Sequence, residues 1–294
     1  MAVDTQDLWE FETEVLAGTI RPWGHHHGVN HLIHKPTGVR LVHPDYTLFN
    51  LYFIFCEGAC LASARSAQKT VRVHEDCVSI HWKAAELHRA ELTACYRVLE
   101  PNIIEFSVTV NAMENYTAYE AFLSSYFDLS LRPYVYVSGG SFVGSRPHWY
   151  TPVVESLYRD NAIVFPRDAR CARMHLDGRW GNVKTLYQWK SQQYYGLPLA
   201  VQADRERGVG AVLMSQRQDC PSINWTVGIS DPRQSSYRSD HLDDPMNARN
   251  PLYFSLFGED VEAGVERTAR VRLVVVGLDD DFGSVVELCR ESGF

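Results

Sequence analysis

Between Arg21 and Gly38 the chain reads RPWGHHHGVNHLIHKPTG, which places five of its 12 histidines within ten residues, His25 to His34. Imidazole titrates near neutrality and is a common metal ligand when neutral. Such a segment can do acid/base work, hold a metal, or form a polar loop. His25 and His27 are one residue apart, so in an extended segment both point to the same side, and Gly24 and Gly28 leave the backbone room to turn. Two nitrogen ligands could come from that side, with His31, Glu120, His74, His81 or His148 as a further ligand and zinc, manganese or iron as the divalent ion. The spacing selects none of these and is looser than H-E-x-x-H or paired C-x-x-C patterns. Three adjacent imidazoles are poor core formers. The segment is therefore expected to line a functional cleft, His25 and His27 inward and His26 outward. A G-x-S-x-G elbow and phosphate-cradling glycine loops are absent.

Strands must position these groups, because period-2 alternation is the dominant pattern. TVRVHEDCVSIHW sets Val71, Val73, Val78, Ile80 and Trp82 against polar partners around a turn at Glu75-Asp76. AELTACYRVLEPNIIEFSVTV repeats the device, with Pro101-Asn102 as turn residues. TLFNLYFIFC and ARVRLVVVGL are more continuously apolar, as strands covered on both faces are. Helical patterns are confined to FGSVVELCRESGF at the C-terminus and to AAELHRAEL, which equally leads into a strand. The expectation is an all-β, antiparallel chain with little helix, forming one domain over residues 1–294. Ser230 to Pro251 is polar and rich in turn formers, and reads as a lid or rim.

Composition narrows the function classes. The 294 residues are 45% hydrophobic, enough for a large β core, and the net charge of −8 comes without a basic cluster, which argues against nucleic acid as a partner. No stretch resembles a secretion signal or the roughly 18 apolar residues of a membrane span. Seven scattered cysteines read as reduced thiols. The expected setting is cytoplasmic, away from membranes; a homo-oligomer is compatible with the sequence.

Two motifs carry a family resemblance. LSSYFDL (Leu123 to Leu129) resembles the Asn-His-x-Tyr-Phe-Asn-Leu strand of galactose mutarotases and related aldose 1-epimerases. GVGAVLMSQRQDCPSIN (Gly208 to Asn224) resembles their Leu-Glu-x-Gln segment with its following Pro and Asn. The resemblance implies an antiparallel galactose-mutarotase-like supersandwich with a sugar-binding concave face. Those enzymes pair a carboxylate base with a histidine acid, and residue by residue these positions fall on Met214 and Ser124, neither of which can titrate usefully. Both are expected to face the cleft, on a scaffold that has lost the standard pair.

Alternation puts Glu120, Phe122, Ser124 and Tyr126 on one face, which the resemblance makes the concave one. Glu120 joins His25 and His27 as a candidate for catalysis or for a metal; its plainer role is a rim carboxylate held by an arginine such as Arg132. Candidate sugar contacts are His31, Tyr126, Arg132, His148, Trp149, Trp225 and Gln216, with Trp189 as a further platform, although most aromatics of a β domain are core. The implied function is a carbohydrate-active protein doing acid/base chemistry of a lyase or isomerase type, with or without a divalent metal. A non-catalytic carbohydrate-binding or regulatory protein, or an aldose 1-epimerase with displaced residues, are the alternatives.

Overall fold

The computed structural model describes residues 8–139, 146–151, 161–180, 188–191, 193–226 and 250–294. The first strands are β1 (Trp9–Glu12), β2 (Leu16–Arg21), β3 (Gly28–His34), β4 (Val39–Arg40), β5 (Asn50–Cys56), β6 (Ala59–Ser63), β7 (Thr70–Val73) and β8 (Cys77–Trp82). There follow β9 (Ala90–Leu99), β10 (Ile103–Ala112), β11 (Tyr116–Phe127), β12 (Arg132–Val137), β13 (His148–Tyr150) and β14 (Asn161–Pro166). After helix α1 (Ala169–Met174) come β15 (Gln188–Ser191), β16 (Tyr195–Asp204), β17 (Val209–Ser215), β18 (Ser222–Thr226), β19 (Asn250–Val261), β20 (Glu266–Gly277) and helix α2 (Gly283–Glu291).

Three sheets result. One has the order β1-β2-β3-β4, one β13-β12-β16-β17-β20-β10-β9-β8-β7, and one β15-β14-β18-β19-β11-β5-β6. Pairing is antiparallel except between β14 and β15. The chain is thus all-β with two short helices among the described residues. AAELHRAEL forms no helix: it leads into β9, whose Ala90, Leu92, Ala94 and Tyr96 are buried in alternation. The C-terminal pattern does become α2, as its apolar spacing requires.

The main core lies between the nine- and seven-stranded sheets, where Phe106 and Val108 of β10 join Tyr119, Leu123 and Phe127 of β11 and Phe254 of β19. Tyr96 ties the layers by donating its hydroxyl to the Phe49 carbonyl at 2.8 Å. The same core continues to Leu16, Ile20 and Leu32 of the four-stranded sheet. Both large sheets are covered on their other faces too. α2 lays Val285, Val286 and Cys289 over Leu199, Val212, Met214 and Val274 of the nine-stranded sheet, and on the seven-stranded one Phe55, Phe122 and Tyr253 form a separate buried cluster against Trp180. This explains the continuous apolar runs of β5 and β20.

His88 is buried and its Nε2 lies 2.9 Å from the Tyr119 hydroxyl. Burial lowers its pKa from 6.5 to about 4, with Glu114 pulling the other way. The unfolded chain binds this proton near pH 6.5 and the folded chain only near pH 4, so stability is full above 6.5 and falls as the pH drops through that window. A loss on the order of 2–3 kcal/mol is expected from this group. Urea denaturation of wild type and His88→Gln at pH 7 and pH 4.5 checks it: the variant should lose less than wild type, and equal losses would rule the assignment out.

Candidate functional site

The seven-stranded sheet gathers polar chemistry on the face turned away from the main core. Glu120, Phe122, Ser124 and Tyr126 alternate with the core residues Ala121, Leu123 and Phe127. Register brings Phe55 opposite Glu120, Phe53 opposite Phe122 and Asn50 opposite Ser124. The pairing shifts by one residue between Phe122 and Leu123, which leaves Tyr52 as an extra residue in β5. From the neighbouring strands, Tyr253 and Ser255 of β19 and Ser222 and Asn224 of β18 join the same face.

A short segment covers one end of this face. Asp168 caps α1 by accepting the Cys171 backbone N–H at 2.9 Å, and His175 closes the helix. Asp177 then accepts the Arg179 backbone N–H at 2.9 Å, and Gly178 takes φ +95°, a turn that delivers the Arg179 side chain onto the sheet. Arg179 Nη1 donates to Glu120 Oε2 at 2.6 Å and Nη2 to Asp177 Oδ2 at 2.7 Å; both side chains of the Glu120 pair are fully buried. Burial alone would pull the Arg179 pKa down, but Glu120 and Asp177 more than offset this and hold it above its ordinary value.

The second oxygen of Glu120 opens a hydrogen-bonded path. Ser255 Oγ donates to Glu120 Oε1 at 2.5 Å, Ser222 Oγ lies 3.0 Å from Ser255 Oγ, and His175 Nε2 lies 3.0 Å from Ser222 Oγ. Asn224 braces the two serines, its Nδ2 donating to each at 3.1 Å. Burial lowers the His175 pKa, against an upward pull from Glu120. A histidine and a carboxylate are therefore joined through two hydroxyls, each able to donate and accept. Phe55, Phe122, Tyr253 and the half-buried rings of Tyr52, Phe53 and Trp180 surround them.

The histidine segment sits toward the other end. Gly28 takes φ +122° with its backbone against Leu48, where a Cβ would come 2.1 Å from the Leu48 carbonyl oxygen, so only glycine fits. The close approach drives His27 inward, fully buried, its carbonyl accepting from Thr47 Oγ1 at 2.8 Å and Asn50 Nδ2 at 2.9 Å. Its ring Nε2 accepts the Leu51 backbone N–H at 3.2 Å, which puts the imidazole proton on Nδ1, 3.2 Å from Lys69 Nζ. Burial, then the charges of Lys69 and Arg65, hold the His27 pKa well below its usual value. Burial also lowers Lys69 to about 8. Arg65 lies over the Tyr52 ring at 3.6 Å; it donates Nε–H to Asn50 Oδ1 and Nη2–H to Ser124 Oγ at 2.8 Å.

No protein-family model matches the chain, and no curated protein matches it either. Solved structures do. The GalM/aldose epimerase homologue from C. elegans superposes with TM-score 0.56 at 9% identity, over 92% of this chain and 99% of that one. A galactose mutarotase-like protein from Lactobacillus casei gives 0.53 at 11%, over 92% and 100%. The chain has the galactose-mutarotase-like fold. Galactose 1-epimerase from Lactobacillus acidophilus NCFM shares it, with TM-score 0.53 at 9% identity over 95% and 97%.

Within the mutarotase-like fold, Ser124 shares the outer face with Glu120 and is buried beneath Arg65, which donates to its hydroxyl. Met214 does not. It belongs to β17 of the nine-stranded sheet, where Ala211 and Leu213 take the main core and Met214 turns to the opposite side, buried under α2. Trp225 is also corrected: it is fully buried in the main core and offers no platform. Trp149 packs edge-on against Tyr136 and Phe282 under α2, and His148 is exposed on the same edge strand, so both lie on the other sheet. Arg132 is exposed at the start of β12, and Arg179 holds Glu120 in its place. His31 is exposed on β3, and Gln216 is half-buried in the loop after β17, accepting from Gln218. Tyr126 stays on the outer face, stacked on Tyr46 with ring centroids 4.6 Å apart.

The histidines also differ from expectation. His27 is inward, but His25 is exposed and His26 is half-buried against Tyr46. His27 Nε2 accepts the Leu51 N–H and its Nδ1 lies against Lys69 Nζ, so neither ring nitrogen is open to a metal. Glu120 sits opposite Phe55, four residues and about 13 Å of strand from Leu51. His25, His27 and Glu120 are thus not gathered as a ligand set, and no group of three His, Cys, Asp or Glu side chains is placed for a metal among the described residues. The Trp189 side chain and Ser230 to Arg249 lie outside the described residues. Arg179, His175, Ser222 and Ser255 gave no motif; only the alternation of Ser222 and Asn224 with Ile223 and Trp225 could have been read.

Removing one partner of a buried ion pair leaves the other charge unpaired, at a cost of roughly 3–5 kcal/mol. Arg179→Met is expected to lose stability on that scale, and adding Glu120→Gln to it should recover part of the loss. Urea melts of Arg179→Met, Glu120→Gln and the double variant check this; a double variant as unstable as the sum of the singles would show that the pair is not coupled.

Proposed function

We propose that the chain binds a sugar or sugar derivative on the outer face of the seven-stranded sheet and does acid/base chemistry there. The observation that carries this is the buried path from His175 through Ser222 and Ser255 to Glu120, on the sheet face that also carries the half-buried rings of Tyr52 and Phe53. Flat apolar rings take the C–H face of a sugar, while fixed polar groups orient its hydroxyls. Glu120 supplies a proton acceptor, His175 a donor, and the serines let a proton move between them without either side chain shifting. Proteins of the same fold include a galactose 1-epimerase and a galactose mutarotase-like protein, which supports a carbohydrate as the partner. The pair differs in sequence position from Ser124 and Met214, so an isomerase or lyase step through displaced residues is the form of chemistry proposed, in a single-domain, cytoplasmic protein. No step is routed through a metal, because the candidate ligands do not fit one.

One observation favours a second reading. Each Glu120 oxygen already accepts a hydrogen bond, from Arg179 and from Ser255, and the side chain is fully buried, so neither oxygen is free for a substrate proton. A protein that keeps the sugar face for binding alone would show this arrangement.

Saturation-transfer and exchange NMR on a panel of free hexoses and hexuronates checks both. Binding with anomer exchange or product formation, reduced at least 100-fold in Glu120→Gln and His175→Gln while both variants stay folded, is the expected result. Binding without turnover in wild type would leave the second reading, and no binding of any panel member would remove both.

A further inference from the structure

Among the described residues, Arg65 is a buried cation without a counter-ion. Only 6% of it is exposed, and it forms no ion pair with a carboxylate among the described residues. Guanidinium carries five N–H donors. Three are engaged, by Asn50 Oδ1, Ser124 Oγ and the Tyr126 hydroxyl at 3.5 Å, and Tyr52 stacks on the plane. The two on Nη1 have no acceptor, and that nitrogen is absent from the fully buried, unsatisfied atoms, so it is the end that meets solvent. An uncompensated buried charge is costly, and a fold that holds one so firmly has fixed it for something. Contrast Arg179, whose charge is answered by Glu120 and Asp177.

The surroundings are basic as well. Asn50 links Arg65 to His27 by donating to the His27 carbonyl, and His27 in turn contacts Lys69, whose Nζ donates to the Gly24 carbonyl at 2.6 Å. The charges acting on the exposed His25 are those of Arg65 and Lys69. In a chain of net charge −8, the charges acting on His27 among the described residues are all cationic, Lys69 and Arg65 foremost.

We infer that Arg65, with Lys69 behind it, is an anion subsite: the sugar derivative carries a carboxylate or phosphate group that accepts from the Nη1 end of Arg65. The inference rests on the carbohydrate reading above and narrows its substrate class to acidic sugars. Arginine suits this task because its planar fork matches carboxylate and phosphate oxygens, and ion-assisted hydrogen bonds are stronger than neutral ones. A hydroxyl would satisfy a donor but leave the charge unanswered. The subsite also gives the GHHHG segment a role: Gly24 holds Lys69 through its carbonyl, and Gly28 seats His27, so the loop carries the cations without ligating a metal.

Calorimetric titration of the full chain with glucuronate, galacturonate and mannuronate, the three parent hexoses, and glucose and galactose 6-phosphates tests it. At least one acidic sugar is expected to bind ten-fold or more tightly than its neutral parent in low salt, with the gap narrowing at 200 mM sodium chloride. Arg65→Gln should abolish that gap, and Lys69→Gln should narrow it a few-fold. Arg65→Lys, which keeps the charge and loses the fork, serves if Arg65→Gln fails to fold, and should keep part of the gap. Tighter binding of uronates than of phosphates assigns the anion as carboxylate, and the reverse as phosphate. Neutral parents binding as tightly as the acidic sugars would overturn the subsite while leaving the carbohydrate reading intact; no sugar binding at all would overturn both.

Discussion

The Glu120–Arg179 pair is the contact on which the covered face depends. Two opposite charges 2.6 Å apart with no exposed surface can be neither separated nor singly lost without a large desolvation penalty. Glu120 is fixed by a central strand, whereas Arg179 belongs to an irregular segment with one short helix. The pair therefore fixes that segment in one position, and His175 and Trp180 come to the sheet with it. Asp177 and Ser255 complete the charge and hydrogen-bond needs of the two partners, so the polar centre is satisfied from both sides.

Fold survives here at about one residue in ten shared with proteins of the same architecture. What persists is pattern: alternation along β9 and β10, and apolar runs on strands covered twice. Packing accepts many side-chain sets of the right volume, provided each strand keeps its phase. Site chemistry has no such tolerance. Ser124 stands where the family resemblance asks for a histidine, and the Arg65 guanidinium donates to that serine.

Alternation made the strands, the two hairpins and the shared face of Glu120, Ser124 and Tyr126 legible in the sequence. It did not say what covers each face. Met214 and Trp225 obey the pattern, yet one turns to α2 and the other to the main core, because each sheet has a second layer that the strand itself does not encode. His27 was legible as inward, but the backbone donor that occupies its ring nitrogen comes from Leu51, 24 positions away, and no local spacing announces it. Arg179 and His175 lie in a segment whose shape is set by one cap and one glycine turn, so their position follows from tertiary contacts alone.

The extra residue at Tyr52 divides β5 into two lengths of strand whose registers with β11 are set separately. Phe53 and Phe55 are in step with the acid-bearing half of the neighbour, and Asn50 is in step with the half that meets the unpaired guanidinium. The bulge thus uncouples them: a one-residue slip on one side of Tyr52 would leave the register on the other unchanged. The sheet is divided into two adjoining modules, one holding a carboxylate answered by Arg179 and one a guanidinium with no carboxylate partner among the described residues.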